Sequence, residues 1–255
     1  MASGASATPL PPGMVLAGVS RSFAGGAGIH SVDLAVAPGT VHALVGLNGA
    51  GKSTLMKVML GMLRPQAGTA SIGGVDVGRA GVEVWAQVGH LVEAPLAYAE
   101  FTVARNLAMA AALHAVPPRR RARVVDGAIA EFGLEPYRGR GARVLSFGNR
   151  QRLGLAAALQ HDPSFIVLDE PTTGLDPSGT LLLRESLRRR AGEGSAVLIS
   201  SHHLDEVSRL AQRISVMNAG RLIGELDPAA PELERAFFAM VLRDDESRNG
   251  EGGAR

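Results

Sequence analysis

Short apolar runs bounded by turn or polar residues occur in two separate parts of the chain. In the first part, about 14–91, strands are predicted at Val15–Ala17, Val32–Val36, Val41–Val45 and Ala70–Ile72. In the second part, Phe165–Leu168 and Ala196–Ile199 have the length and composition of buried parallel strands. Strands of this kind that alternate with helical stretches are typical of a sheet covered by helices, so the pattern predicts an α/β fold.

The stretch between these two parts, from about 102 to 159, has a helical pattern. Helices are predicted at Ala104–Leu113 and Arg121–Phe132, and the second is followed by Gly133. Glycine is the usual residue where a helix ends in a left-handed conformation. We therefore expect a helical subdomain, placed at about 94–159, inserted into the α/β fold.

The two ends of the chain differ in composition from the rest. Residues 1–13 carry no basic residue and no long apolar run, so they are expected to form a flexible tail rather than a secretory signal. Residues 227–255 are expected to form a short helix followed by a disordered tail, because the sequence is polar and glycine-rich from Arg243 onward. No run approaches the roughly 18 apolar residues of a membrane span. Membrane contact is therefore expected only through a partner.

Composition does not change the predicted fold, but it limits the kinds of functional site that the chain can contain. The chain has no cysteine, which excludes disulfides and thiolate metal sites. Its net charge is only +2, and arginine replaces lysine almost everywhere. Aromatic residues are scarce, so a surface that stacks single-stranded nucleic acid is not expected. The one dense basic cluster, Arg119–Arg123, is interpreted first as a solvated helix face, with contact to lipid headgroups or to an acidic partner loop as the alternatives.

The segment after Val41–Val45 matches the phosphate-binding loop G-x-x-x-x-G-K-[ST] at all four fixed positions. The loop consists of Gly46, Leu47, Asn48, Gly49, Ala50, Gly51, Lys52 and Ser53, and Thr54 follows in a predicted helix. Its backbone N–H groups and the helix N-terminus form an anion site. Lys52 is predicted to contact the β- and γ-phosphates, and the Ser53 hydroxyl is predicted to bind Mg²⁺. The sequence therefore predicts a nucleoside triphosphate ligand.

A second site feature is the apolar strand Phe165–Leu168, which ends in Asp169 and Glu170. A buried parallel strand brings its last residues to the sheet edge where the phosphate loop also lies. Asp169 is then a candidate ligand of Mg²⁺. Because side chains alternate along a strand, Glu170 is expected to point elsewhere and to orient and deprotonate the attacking water.

Several further motifs resemble those of the ATP-binding subunits of ABC transporters, and they occur along the chain in the order that is usual for that family. The segment Leu145-Ser146-Phe147-Gly148-Asn149 is similar to the signature motif L-S-G-G-Q. Gly174–Asp176 resembles the D-loop, and Ser200–His202 resembles the switch-histidine segment. Phe23 lies where this family places an aromatic ring on adenine. The resemblance covers about 14–226 and implies a RecA-like P-loop ATPase core with an antiparallel β edge region and an inserted helical subdomain.

The resemblance also implies roles for these residues. His202 would contact the γ-phosphate and hold the water and Glu170 in line, whereas the neighbouring His203 is expected to be an ordinary surface histidine. Ser146 and Gly148 would open a helix that faces the γ-phosphate of ATP across a homodimer. Asp176 would communicate across that dimer. The implied catalytic set is Lys52, Glu170 and His202.

Three positions depart from the family pattern. Glu93 stands where glutamine is usual, which resembles bacterial antibiotic-resistance exporters of the bacitracin type and lantibiotic-immunity exporters. Glu93 is expected to coordinate Mg²⁺ or its water, with added negative charge near the phosphates. Phe147 replaces glycine and Asn149 replaces glutamine in the signature, while the close-contact residues Ser146 and Gly148 are kept.

The resulting hypothesis is an ATP-hydrolysing subunit, at the cytoplasmic face of the cell membrane, that powers export of a drug, antibiotic or peptide through a separate transmembrane permease. An importer stays open as an alternative within transport. A soluble ABC ATPase acting on nucleic acid or the ribosome is the alternative from another class, although the near-neutral charge favours no nucleic-acid partner. A regulatory subunit that binds ATP without turnover is disfavoured, because Glu170 and His202 are both present.

Overall fold

A computed structural model describes residues 13–25, 27–93 and 97–252. The strands are β1 (Met14–Ser22), β2 (Gly28–Val36), β3 (Val41–Val45), β4 (Ala67–Ile72), β5 (Val75–Asp76), β6 (Val88–Leu91), β7 (Phe165–Leu168), β8 (Ala196–Ser201), β9 (Arg213–Asn218) and β10 (Arg221–Leu226). The α-helices are α1 (Lys52–Met59), α2 (Val82–Trp85), α3 (Val103–Leu113), α4 (Pro118–Glu131), α5 (Phe147–Leu159), α6 (Pro177–Gly192), α7 (Leu204–Ser208) and α8 (Leu233–Gly252).

The larger of two sheets has the strand order β10-β9-β3-β8-β7-β6. Strands β9, β3, β8, β7 and β6 are parallel, and β10 pairs antiparallel with β9 at one edge. Every residue of β3, β7 and β8 is buried, as expected for a parallel sheet covered on both faces. The carboxyl ends of β3, β7 and β8 therefore meet at one edge of this sheet.

The smaller sheet has the order β2-β1-β4-β5, and all of its pairings are antiparallel. Its inward side chains share one hydrophobic core with helix α1 and with one face of the larger sheet; Leu16, Ile29, Met56 and Leu198 are members of this core. The predicted antiparallel edge region is confirmed. Helix α1 is thus held by both sheets, which fixes the loop that precedes it.

Helices α3, α4 and α5 lie between β6 and β7 in the chain, and the helices predicted at Ala104–Leu113 and Arg121–Phe132 are confirmed. Thr102 caps α3, because its side chain accepts a hydrogen bond from the backbone N–H of Arg105 at 3.2 Å. Gly133 follows α4 with φ = 62°, the left-handed conformation predicted for it. These helices pack on the core sheet through a second buried cluster that includes Leu107 and Phe132.

The C-terminal helix corrects the expectation for this end of the chain. Helix α8 runs to Gly252, so residues 243–252 are helical rather than disordered. The helix docks on β9, because the Asn218 side-chain amide donates to both Asp244 and Asp245, each at 2.8 Å. Val241 is also buried in the core. The tail predicted for 1–13 falls outside the described residues except for Gly13, whose carbonyl accepts a hydrogen bond from Gly73 N–H.

Within the described ranges, the structure contains no helix with the length and apolar character required to cross a lipid bilayer.

Candidate active site

The phosphate loop connects the end of β3 to the start of α1, as predicted. Gly49 and Gly51 have φ values of 83° and 107°, a region that residues with side chains rarely adopt. Gly46 is required for a different reason: a Cβ there would lie 2.4 Å from the carbonyl oxygen of Met217. The glycines therefore allow a tight turn that packs directly against β9.

Lys52 begins helix α1, and its side chain is buried. Its Nζ donates to the carbonyl oxygen of Gly46 at 2.7 Å and lies 3.5 Å from a carboxylate oxygen of Glu170. A buried ammonium in this position supplies positive charge at the loop that precedes α1, next to the helix N-terminus. The predicted phosphate-binding lysine and the predicted base are thus neighbours.

Glu170 lies between two of the residues predicted to contact phosphate. One carboxylate oxygen faces Lys52, and the other lies 2.8 Å from Nδ1 of His202. Glu170 has φ = 46°, a strained conformation for a residue with a side chain, and such strain is concentrated at functional sites. The structure therefore brings Lys52, Glu170 and His202 together. The His203 ring lies beside that of His202, with centroids 3.9 Å apart.

Ser200 is a site residue whose role was not predicted from the sequence. Its buried hydroxyl donates to the Asp169 carboxylate and accepts a hydrogen bond from the backbone N–H of Glu170 at 2.8 Å. The register explains this contact: Leu168 of β7 pairs with Ile199 of β8, so the next residue of each strand lies alongside the other. One hydroxyl thereby orients both adjacent acidic residues.

The loop and the carboxylates share a cavity of about 250 Å³. Its lining consists of Phe23, Ala27, Gly28, Asn48, Gly49, Ala50, Gly51, Lys52, Ser53, Thr54, Asp169 and Glu170. The Phe23 side chain is 40% exposed, with the Arg21 guanidinium 5.3 Å from its ring centroid. An exposed ring beside a phosphate loop is suited to stacking on a nucleotide base.

Glu93, the third predicted metal ligand, lies outside the nucleotide cavity in this structure. Glu93 is absent from the lining of this cavity within the described ranges, and it is 67% exposed. Its carboxylate instead forms an ion pair with Lys57 of helix α1. Glu93 also has φ = 72°, so the backbone turns sharply at this residue. The structure therefore does not bring Glu93 to the other two predicted metal ligands, Ser53 and Asp169.

The signature segment lies outside the cavity of its own chain. Ser146 caps α5, because its hydroxyl accepts a hydrogen bond from Asn149 N–H at 3.2 Å, and Leu145 is buried. Phe147, which replaces the usual glycine, is 54% exposed and packs on Gly174. The helix of this segment begins at Phe147, directly after the Ser146 cap, so Gly148 lies in its first turn.

Asp176 caps helix α6 by accepting a hydrogen bond from Gly179 N–H at 2.9 Å, and it also pairs with Arg152 of α5. The hydrogen bond from Arg152, followed by that from Gly179, holds the pKa of the Asp176 carboxyl below its usual range. Gln151 of the same helix donates to the carbonyl oxygen of Pro171 at 3.1 Å. Helix α5 is thus tied to the segment after Glu170 at two points that the sequence did not reveal.

The residues present fit a magnesium ion. Ser53 and Asp169 both line the cavity, and hydroxyl and carboxylate oxygens are the ligands that Mg²⁺ prefers. Across 13–25, 27–93 and 97–252, no group of three or more histidine and acidic side chains forms a complete protein metal site. Mg²⁺ bound through one or two protein ligands would therefore depend on the phosphates of the substrate for its other ligands.

Comparison with known proteins agrees with this geometry. The family model described as ABC transporter matches residues 29–173. The daunorubicin resistance ATP-binding protein DrrA3 of Streptomyces coeruleorubidus is 39% identical over 229 residues, which cover 89% of this chain and 72% of that protein. A Nod factor export ATP-binding protein I of Rhizobium leguminosarum bv. viciae is 35% identical and covers 86% and 71%. The bacitracin transport ATP-binding protein BcrA of Enterococcus faecalis is 35% identical and covers 78% and 64%.

Solved structures show the same fold. The ATP-binding subunit of an ABC transporter superposes with a TM-score of 0.79 at 26% identity and covers 89% of this chain and 94% of its own. A dimeric ATP-binding cassette with bound ADP and Pi superposes with a TM-score of 0.77 and covers 85% of this chain and 99% of its own. Its sequence identity is 20%, so this similarity shows the fold alone. With the site and the family match together, this chain belongs to the ABC transporter family, as an ATP-binding and ATP-hydrolysing subunit.

Proposed function

We propose that this chain hydrolyses ATP to power the export of a drug, antibiotic or peptide through a separate transmembrane permease. The names of the relatives support export, since they refer to daunorubicin resistance, Nod factor export and bacitracin transport. The chain would lie at the cytoplasmic face of the cell membrane, held there by its permease.

One observation carries the proposed chemistry: the Glu170 carboxylate lies between Lys52 and His202 at the end of the phosphate loop. Glu170 would accept a hydrogen bond from the attacking water and then take its proton. Lys52 and His202 would bind γ-phosphate oxygens and stabilise the charge that develops there. Water would attack the γ-phosphorus and the bond to the β–γ bridging oxygen would break, giving ADP and phosphate.

Two side chains would hold the metal of this reaction. Ser53 and Asp169 would bind Mg²⁺, which would neutralise part of the charge of the phosphates. Ser200 would keep the Asp169 carboxylate oriented, because its hydroxyl donates to that carboxylate. Phe23 would stack on the adenine base, and the backbone N–H groups of the loop 46–53 would bind the phosphates.

The signature segment would act on the ATP bound by a second copy of the chain. This assignment is supported by the lining of the chain's own nucleotide cavity, which includes none of Leu145–Asn149 among the described residues. The N-terminus of α5, opened by Ser146 and Gly148, has the partial positive charge that suits a γ-phosphate. Asp176 would connect this segment to the site across the homodimer.

The test is to purify the chain from its native membranes in mild detergent and to identify by mass spectrometry what accompanies it. We expect a stoichiometric protein with several membrane spans. Purification of the Lys52→Ala variant in parallel would separate partner binding from nucleotide binding, because Lys52 does not lie on an exposed surface. Recovery of nucleic acid or ribosomes without a membrane protein would overturn the transport proposal in favour of an ATPase that acts on those partners.

A further inference from the structure

A second cavity, of about 590 Å³, lies where helix α4 meets the C-terminal ends of α5 and α6. Its wall on the α4 side carries Arg119, Arg120 and Arg123, all of which are exposed. None of the residues that line it belongs to the nucleotide cavity. We call it the arginine cavity.

The three α4 arginines are not neutralised by the protein. Within the part of the chain that the structure describes, the ion pairs include none of Arg119, Arg120 and Arg123. Arg121 differs from them, because its Nε donates to the Val116 carbonyl oxygen at 2.8 Å. The α4 face toward the cavity therefore presents three guanidinium groups that have no ion pair in the described ranges, and one carboxylate, Glu131, at the last residue of the helix.

Their position on the helix adds to this imbalance. Helix α4 begins at Pro118, and its first turn contains no acidic residue. The N-terminus of a helix carries partial positive charge and favours anions, so arginines at this end repel the helix dipole. An anion bound beside Arg119 and Arg120 would remove this repulsion and would satisfy the dipole as well.

The opposite wall supplies a buried donor without a partner. Arg190 of α6 is only 2% exposed and lines the cavity. Its terminal nitrogens donate to Glu131 and to the Leu159 carbonyl oxygen, but its buried Nε finds no hydrogen-bond partner in the described structure. This Nε atom has almost no accessible surface, so Arg190 would attract an anion in the cavity through its charge rather than through a hydrogen bond from Nε.

Two carboxylates also line the cavity, and they oppose an anion. Glu131 is already committed to Arg190: burial alone would raise its pKa, but the hydrogen bonds from Arg190 hold that pKa down at about 2. Asp162 is exposed and lies 3.5 Å from Arg190. With Arg190 balanced by Glu131, the three α4 arginines face Asp162 alone, so the cavity is positive.

We propose that the arginine cavity is a second ligand site, distinct from the nucleotide site, and that it binds a phosphate ester. Planar guanidinium groups match phosphate oxygens in pairs, which makes arginine the residue suited to this chemistry. A free phosphate ester and the headgroup of an anionic phospholipid both carry such phosphate oxygens. The alternative without a ligand is that Arg119–Arg123 form only a solvated helix face.

The experiment uses the full chain with ADP and Mg²⁺ present in excess, so that the phosphate loop is occupied. Glycerol phosphate is titrated by calorimetry at about 0.15 M ionic strength, which screens weak surface attraction. Sedimentation with phosphatidylglycerol vesicles, against phosphatidylcholine vesicles, tests the lipid source. The variant R119Q/R120Q is compared with R64Q/R221Q, which removes two other exposed arginines that have no ion pair in the described structure and do not line the cavity.

We expect binding to glycerol phosphate or to phosphatidylglycerol vesicles, weakened at least about tenfold in R119Q/R120Q and unchanged in R64Q/R221Q. Binding in the calorimetric arm identifies a free phosphate ester, and binding only in the vesicle arm identifies a lipid headgroup. No binding in either arm would overturn the proposal. Equal weakening in both double variants would also overturn it, since it would mean non-specific attraction to net charge.

Discussion

The ring of Phe147 lies against the backbone of Gly174. A Cβ on Gly174 would lie 2.0 Å from Cε1 of that ring, and Gly174 has φ = 77°. The apolar residue that replaces glycine in the signature segment is therefore accommodated by a glycine in the D-loop segment of the same chain. This contact ties together two segments that are proposed to act across the dimer.

The first prediction is that Gly174→Ala destabilises the chain by about 2 kcal/mol or more, through overpacking against Phe147 together with backbone strain. In the Phe147→Ala background the same change should be smaller, about 1 kcal/mol, because only the strain remains. Urea unfolding of the four variants measures both values. An equal effect of Gly174→Ala in both backgrounds would show that the two residues are not coupled.

The second prediction concerns Ser200, which holds Asp169 and the backbone of Glu170. Ser200→Ala removes one buried hydroxyl and should lower stability by about 1–3 kcal/mol, and it should also slow ATP hydrolysis. Ser195→Ala is the matched control, because its buried hydroxyl donates to the Pro163 carbonyl oxygen at 2.9 Å, away from the site. If both variants lose stability and both keep full activity, Ser200 has no role in positioning the acidic pair.

The third prediction is a pH dependence of stability due to His42. This side chain is buried with Nε2 2.8 Å from Ser215 Oγ, and burial, followed by the charge of Arg213, lowers its pKa to about 4. Since the unfolded chain has the higher pKa, it binds the proton first as pH falls. Stability from neutral His42 is therefore present above about pH 6.5 and is lost between about pH 6.5 and 4.

The measurement is the free energy of unfolding at pH 7 and pH 5 for the wild type and for His42→Gln. Between pH 7 and pH 5, the free energy of unfolding of the wild type should fall by about 2 kcal/mol more than that of the variant. The buried amide keeps a polar partner for Ser215, so the comparison isolates the titration. Identical pH profiles would show that His42 stays neutral in the unfolded chain or ionises in the folded one.

The fourth prediction concerns the ion pair between Glu93 and Lys57. An exposed pair contributes about 1 kcal/mol or less, so neither Glu93→Gln nor Lys57→Gln should change stability much. Their effects on hydrolysis should differ: Glu93→Gln should leave the dependence of the rate on Mg²⁺ concentration unchanged, because Lys57 already holds Glu93 away from Ser53 and Asp169, and Lys57→Gln, which frees the carboxylate, should strengthen it. Magnesium titrations that shift in Glu93→Gln but not in Lys57→Gln would contradict a restraining role for Lys57.

The parts of the site that depend on local sequence were predictable. A glycine-rich loop between a strand and a helix, and two carboxylates after a buried strand, require only neighbouring residues to be recognised, and Lys52, Asp169 and Glu170 do share one cavity. Ser200 was missed because its role depends on the register between β7 and β8, which are separated in sequence by α6.

Other features depend on contacts between distant segments. The polar residues after Arg243 suggested disorder, yet Asp244 and Asp245 are hydrogen-bonded to Asn218 on β9. Glu93 was assigned to the metal from its place in a motif, whereas the structure pairs it with Lys57. The position of such a polar residue depends on which distant side chain it pairs with. Neither composition nor the place of a residue in a motif specifies that partner.

The most direct test of the account is the rate of phosphate release from ATP by the purified chain and by its Glu170→Gln variant, measured together with ATP affinity. Glutamine keeps the shape of glutamate and its hydrogen bond to His202 but cannot take a proton from water. We predict measurable hydrolysis by the wild type, a rate at least about a hundredfold lower in the variant, and similar ATP affinity in both. Equal rates in the two proteins would contradict the assignment of Glu170 as the base.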